Sequence, residues 1–303
     1  MNIPLGRVWQ HTVAIGMGLL AVLIAAEPTS AYGSDQHPMK RRQQGILTGM
    51  PFMANVAPRT FVDDLGRKIY LAQAPNRLVS LAPSITETLY AIGLGDRVVG
   101  VTEFCDYPPE ARSKPKVGYS QPNLETIVAL QPDLVLAPRD FIRPDVLGKL
   151  EQLKIPTFVV EAKTVEDIAS QIQTIGRMLN RSESADRIAM ELRRRLTELK
   201  RRTETLTRPR VLYVLNSQPL ITVGPGSFIH QLIEIAGGVN VAAGAASPYP
   251  RFSIEAVLKE DPQLIIFPVG ASEGIPRGEQ ELWRRWSTMT AVKTGSFHHI
   301  ASE

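Results

Sequence analysis

A single cysteine, Cys105, stands among 303 residues, so the chain cannot close an intramolecular disulfide and must be held by its core. Catalytic use of that thiol is not expected, because His37 and His230, the nearest histidines in sequence, show no pattern that ties either to it. Histidine is scarce, five in all, and His230, His298 and His299 lack ligand-type spacing, which argues against a bare divalent-metal carrier. The G-x-S-x-G elbow, the P-loop and the G-x-G-x-x-G fingerprint are also missing. Gly93-Leu94-Gly95 ends a helical pattern where the fingerprint would open one. An exported α/β enzyme is thus a minor reading. Aromatics make up only 6%, and none interleave with Arg193-Arg194-Arg195 or Lys200-Arg201-Arg202. Nucleic-acid binding is rejected on that ground, and the basic runs read as the solvated face of a long helix.

The N-terminal apolar stretch, Val13 to Ala26, spans 14 residues, short of the ~20 that a bilayer-spanning helix needs. Arg7 precedes it and the small residues Thr29-Ser30-Ala31 follow, with Ala26 a competing cleavage point. Residues 1–31 therefore read as a cleavable secretory signal that sends the chain to the periplasm. A lipid anchor would need a cysteine just after the stretch, and none is there. Residues 32–58 are polar and aperiodic and read as a flexible leader.

What is present is a repeat. Asn123-Leu124-Glu125-Thr126-Ile127-Val128-Ala129-Leu130-Gln131-Pro132-Asp133-Leu134-Val135-Leu136 returns at Ser253-Ile254-Glu255-Ala256-Val257-Leu258-Lys259-Glu260-Asp261-Pro262-Gln263-Leu264-Ile265-Ile266, without a gap, 130 residues later. Each copy predicts a short helix opened by Asn123 or Ser253 as N-cap, then a proline and a buried strand. Each carries a glutamate in its first turn, where the helix dipole favours negative charge. Capping alone explains either glutamate singly; recurrence in both halves points to a paired role.

Hydrophobic content of 44% and charged content of 21% suit a globular chain, and 303 residues suit two domains. Asp64-Leu65-Gly66 predicts a turn between two short strands. Strands are predicted at 77–81, 98–101, 134–137 and 157–160, with helices at 86–92, 144–153 and 165–179. Ser182-Glu183-Ser184 is expected to cap a helix running to about Thr205, with Ile188, Leu192, Leu196 and Leu199 as its apolar stripe. Beyond it come a strand at 210–215, a helix at 228–236 ended by Gly237-Gly238, the repeat strand at 264–267, helical segments near 279–286 and 289–293, and a last strand near 298–300. Alternation of this kind means βαβ units. The expected fold is α/β: two Rossmann-like lobes with mainly parallel sheets, at 59–180 and 208–303, joined by one long rigid helix at 181–207.

Several separated motifs now resemble one family. Arg77-Leu78-Val79-Ser80-Leu81-Ala82-Pro83-Ser84-Ile85-Thr86-Glu87, Gly93-Leu94-Gly95-Asp96-Arg97-Val98-Val99-Gly100-Val101-Thr102, Asp106-Tyr107-Pro108-Pro109-Glu110-Ala111 and the repeat are similar to class III periplasmic binding proteins, especially the vitamin B12-binding type. The likeness runs from about Phe61 to the end. It implies a monomeric carrier whose ligand, cobalamin or another corrinoid, lies between two lobes, with no resident cofactor and no metal. It further implies that Glu125 and Glu255 dock onto arginines of an ABC transporter permease at the inner membrane. Loops after the strands should line the site: Pro83, Ser84, Phe104, Tyr107, Tyr119 and Arg139 in the first lobe, and Asn216, Tyr249, Pro250 and Arg251 in the second. Flat aromatics suit a planar ring, although each tyrosine could equally pack at a lobe edge. An iron-siderophore or haem ligand is the alternative, with Arg139 and Arg251 facing carboxylates or catecholates.

The chain departs from the B12 pattern in two places. Tyr119 and Tyr249 stand where tryptophan is frequent, and Trp9, Trp283 and Trp286 lie elsewhere. The second lobe also stops without the family's closing helix and is expected to be shortened; a non-transporting scaffold is the reading that follows from it.

Overall fold

The computed structural model describes residues 59–119, 121–139, 142–269 and 281–301. The secretory segment and leader expected at 1–31 and 32–58 lie outside the described residues. No helix among the described residues is long and apolar enough to cross a membrane.

The first two strands, β1 (Arg59–Val62) and β2 (Lys68–Leu71), form the expected antiparallel hairpin, with Gly66 at φ 77° in its turn. Asp63 organises that turn: its buried carboxylate accepts from the Leu65 and Arg67 amides and pairs with the Arg67 guanidinium. The first lobe then alternates β3 (Leu78–Ser80), α1 (Pro83–Ala91), β4 (Val98–Gly100), α2 (Leu124–Ala129), β5 (Leu134–Pro138), α3 (Pro144–Gln152), β6 (Thr157–Val160) and α4 (Val165–Met178). Its sheet runs β4-β3-β5-β6, all parallel. Helices cover both faces, so alternate strand residues enter two cores. Leu78, Leu134, Leu136 and Phe158 pack with α1 and α4, whereas Val79, Val135, Ala137 and Val159 pack with Ile127 of α2 and Leu150 of α3. The hairpin closes the β6 edge: the Asp64 amide donates to the Val159 carbonyl at 3.0 Å, and the Glu161 amide donates to the Asp64 carboxylate at 2.6 Å.

α5 (Ser182–Thr203) is the expected long helix, about 33 Å at 1.5 Å per residue. Leu192 and Leu196 are buried, with Ile188 and Leu199 partly so, as the stripe requires. Its start differs from expectation. Arg181 is the N-cap and no side chain caps it, because the chain turns straight out of α4 through Asn180 at φ 59°. The basic runs are solvated and pair locally, Arg194 and Arg195 with Glu191, Arg193 with Glu166, and Arg201 with Glu198.

After β7 (Arg210–Tyr213) comes a two-residue-strand hairpin not expected from sequence, β8 (Asn216–Ser217) and β9 (Leu220–Ile221). Then follow α6 (Phe228–Ile235), β10 (Val239–Asn240), α7 (Ile254–Glu260), β11 (Leu264–Val269), a 3-10 turn at Leu282–Arg285, α8 (Thr290–Thr294) and β12 (Phe297–Ala301). The second sheet runs β10-β7-β11-β12, again parallel. Strand for strand, it is the first sheet's order. α1 likewise begins at Pro83 and not Thr86, since proline at the first helical position has its φ already set.

The two halves share a clamp. Arg77, just before β3, donates Nε to the carbonyls of Leu130 and Gln131 at 3.1 Å each. Arg210, at the start of β7, donates Nε to those of Glu260 and Asp261 at 2.9 and 3.0 Å. These are the orphan carbonyls at the ends of α2 and α7, where Gln131 and Asp261 turn left-handed at φ 46° and 44° before proline. Asp133 returns bonds to the amides of Asn76 and Arg77, and Gln263 returns one to Arg210. We predict that Arg77→Ala and Arg210→Ala each lower stability by about 1 kcal/mol, the scale of one net hydrogen bond. Urea denaturation checks this, and an unchanged midpoint in both would show the clamps to be idle.

Candidate functional site

The repeat places one carboxylate per lobe in the same setting. The Asn123 side chain accepts from the Thr126 amide at 3.0 Å, and the Ser253 hydroxyl from the Ala256 amide at 3.2 Å, so both N-caps are formed. Leu124 and Ile254 are half-buried, Ile127 and Val257 fully buried, and Glu125 and Glu255 exposed between them. The Glu255 carboxyl is held below the usual range by its own backbone amide and by the Ser253 hydroxyl. Both glutamates are therefore presented, exposed, on the first turn of a short capped helix.

In the first lobe a buried polar knot gathers several ligand candidates. The Thr86 hydroxyl bonds to the Ser80 hydroxyl at 2.8 Å and to the Cys105 sulfur at 3.2 Å, and Thr102 reaches the same sulfur at 3.1 Å. This ties the end of β3 and the first turn of α1, which carries Pro83 and Ser84, to the loop after β4, which carries Phe104. Burial pushes the Cys105 thiol up, and the group packs inside the knot. Phe104, 38% exposed, meets the mostly buried Tyr119 edge-on at 5.0 Å and 77°. Tyr107, half-exposed, lines a separate cavity with Glu87 and Glu110. Arg139 is engaged within its own lobe, pairing with Glu161 at 2.8 Å and donating to the Asp64 carbonyl at 3.0 Å.

The second-lobe candidates converge on the unexpected hairpin. Asn216 pairs with Ile221 in β8–β9, and its side chain donates to the Pro219 carbonyl at 2.7 Å. Arg251 bridges to Ile221 from the other side, and the Pro250 carbonyl accepts from Thr222 at 3.1 Å. Tyr249 packs half-buried against the core of Tyr213 and Ile229. Arg251 is exposed, the arginine of the two better placed to meet a ligand.

Two parallel sheets of one strand order, a single helical connection and a repeated exposed glutamate form a recognisable whole, and residues 78–303 match a family model described as periplasmic binding protein. The chain belongs to that family. A vitamin B12-binding protein of Vibrio cholerae serotype O1 is 36% identical over 219 residues, 72% of this chain and 78% of that one. The crystal structure of the periplasmic vitamin B12 binding protein of Vibrio cholerae superposes with a TM-score of 0.65 at 33% identity, covering 74% of this chain and 87% of that one. A periplasmic heme-binding protein from Roseiflexus sp. RS-1 superposes at 0.63 over 74% of this chain and 88% of its own; at 22% identity it supports the fold alone.

One group in this periplasmic binding protein was illegible in the sequence. Glu87, in the middle of α1, enters the sequence only as the last residue of the Arg77–Glu87 motif. Burial, and then the negative charge of Asp106, push its carboxyl from the ordinary 4.5 up to about 8. A carboxyl raised in the folded state binds protons more tightly there than in the unfolded chain. Stability therefore falls as pH rises from about 4.5 toward 8 and levels off above. We predict that Glu87→Gln raises the melting temperature at pH 8.5 and leaves it unchanged at pH 4. Thermal melts at the two pH values check this; an equal shift at both would refute it.

Proposed function

We propose that this chain is the solute-binding component of an ABC importer, working in the periplasm as a monomer. It captures cobalamin or another corrinoid at the C-terminal ends of its two sheets and delivers it, chemically unchanged, to a permease. The observation that carries the ligand assignment is the 36% identity to a vitamin B12-binding protein across 72% of the chain. The aromatic pair Phe104–Tyr119 supports it, since the buried Tyr119 backs Phe104 edge-on and the partly exposed Phe104 ring offers an apolar contact for a macrocycle. Pro83, Ser84, Asn216, Tyr249 and Arg251 are proposed to complete the site with polar tips for amide side chains. Arg139 and Tyr107 contribute less directly, because the first is paired to Glu161 and the second lines another cavity.

Glu125 and Glu255 are proposed to dock the two lobes onto paired arginines of the permease. Rim charges of this kind steer encounter and fix orientation more than they add affinity.

Calorimetric titration with cyanocobalamin, using the chain from Tyr32 onward, tests the ligand. Saturable one-to-one binding is expected. A cooperatively folded sample that gives no heat would move the assignment to an iron-siderophore or haem. Tyr119→Ala should weaken binding by about tenfold, the scale of one lost aromatic contact. Glu125→Ala and Glu255→Ala should abolish most uptake in vesicles holding the cognate permease while leaving cyanocobalamin affinity intact. Equal loss of affinity and uptake would sink the docking role.

A further inference from the structure

In the first lobe, residues of α1 from Glu87 onward, the turn after it, the loop after β4, and Ile172 of α4 and Ile188 of α5 line a cavity of about 700 Å³. That is within the size range of small-molecule sites, roughly 300–1,000 Å³. Ile172 of α4 and Ile188 of α5 form an apolar wall, and Tyr90 and Tyr107 supply two phenol rings. Glu87, Asp96 and Glu110 also line it, and no lysine, arginine or histidine does so among the described residues. None of the three carboxylates joins an ion pair among the described residues. The nearby cations are turned to main-chain carbonyls instead: Arg112 to that of Asp106, and Lys116 to those of Cys105 and Ala111. Asp106 adds a further negative charge close to Glu87.

We propose that this cavity binds an organic cation, its ammonium group among Glu87, Asp96 and Glu110 and its apolar body against the isoleucines and tyrosines. The exposed carboxylates of Asp96 and Glu110, with Asp106 close by, repel an anion, and Glu87 adds a carboxyl oxygen that can accept from an ammonium. A neutral guest would strip water from the carboxylates and return nothing, whereas a cation neutralises them and faces the tyrosine rings. The Tyr90 ring is held in place beforehand. A Cβ added to Gly95 would lie 2.4 Å from a Tyr90 ring carbon, so the ring lies directly over that glycine. The Tyr90 hydroxyl is raised above its usual range by burial and by the fields of Glu110 and Asp96, which converge there. That hydroxyl is also buried with no hydrogen-bond partner, an acceptor open to an ammonium N–H. The site needs neither the corrinoid assignment nor the permease.

The test is calorimetric titration of the chain from Tyr32 onward with benzylammonium, which carries N–H donors, with phenylacetate as the anion of matched ring. Saturable one-to-one binding of the cation and none of phenylacetate is expected. Glu110→Gln should weaken it by about tenfold, one close charge contact. Ala91→Trp, placing a large ring at an exposed position in the lining, should abolish it, and both variants should keep the wild-type melting temperature. The same titrations run with cyanocobalamin should be unaffected by either substitution, which separates this site from the ligand site. Absence of heat from a cooperatively folded sample, equal binding of phenylacetate, or unchanged cation affinity in either variant would overturn the proposal.

Discussion

The structure turns on one joint, the packing of α4 and α5 against α6. Val165 and Ala169 of α4 and Ala189, Leu192 and Leu196 of α5 bury Leu232 and Ile235 of the second lobe. The Val165 amide donates to the Gln231 side chain at 2.9 Å, and Thr203 donates to the Ile235 carbonyl at 3.2 Å. Gly176 lets α5 lie close on α4, where a Cβ would stand 2.2 Å from that of Ala185. A single helix seated this way resists bending, in contrast to a hinge of two or three extended segments. Packing of this kind ties the second lobe to the helix pair that leaves the first.

Within that frame, each half repeats one unit at the level of hydrogen bonds. The cap, the exposed first-turn glutamate, the buried aliphatic, the left-handed turn and the arginine clamp recur 130 residues apart, apart from the arginines, which are 133 apart. Replacement of Asp133 by Gln263 keeps the function of bonding back to the arginine's segment with a different side chain. The geometry of the glutamates is thus set redundantly by local chemistry in each lobe and does not rely on contact between the lobes.

Much of this was legible. The repeat, both N-caps, the parallel sheets and the apolar stripe of α5 follow from local pattern, and local pattern is what periodicity records. The clamps were missed because an arginine at a strand start carries no mark of a helix end 53 residues away. Hairpin β8–β9 was missed because two-residue strands have no periodicity to read. Glu87 drew no notice because desolvation is a property of surrounding elements, and the engagement of Arg139 by Glu161 depends on strand neighbours 22 residues apart. Of the ligand candidates, Phe104 and Tyr119 were brought together, the second-lobe set was gathered on one ribbon, and Tyr107 lines another cavity.

The hairpin at the beginning of the described chain has a meaning for solubility. β6 is the outermost strand of its sheet, and a bare parallel edge is a template on which another chain can grow. Asp63 and Asp64 occupy it: one accepts from the Val159 amide, and the other both donates to the Val159 carbonyl and accepts from Glu161. These are short polar plugs in place of a further strand. Without that hairpin the β6 edge would lie bare, and first lobes could pair edge to edge.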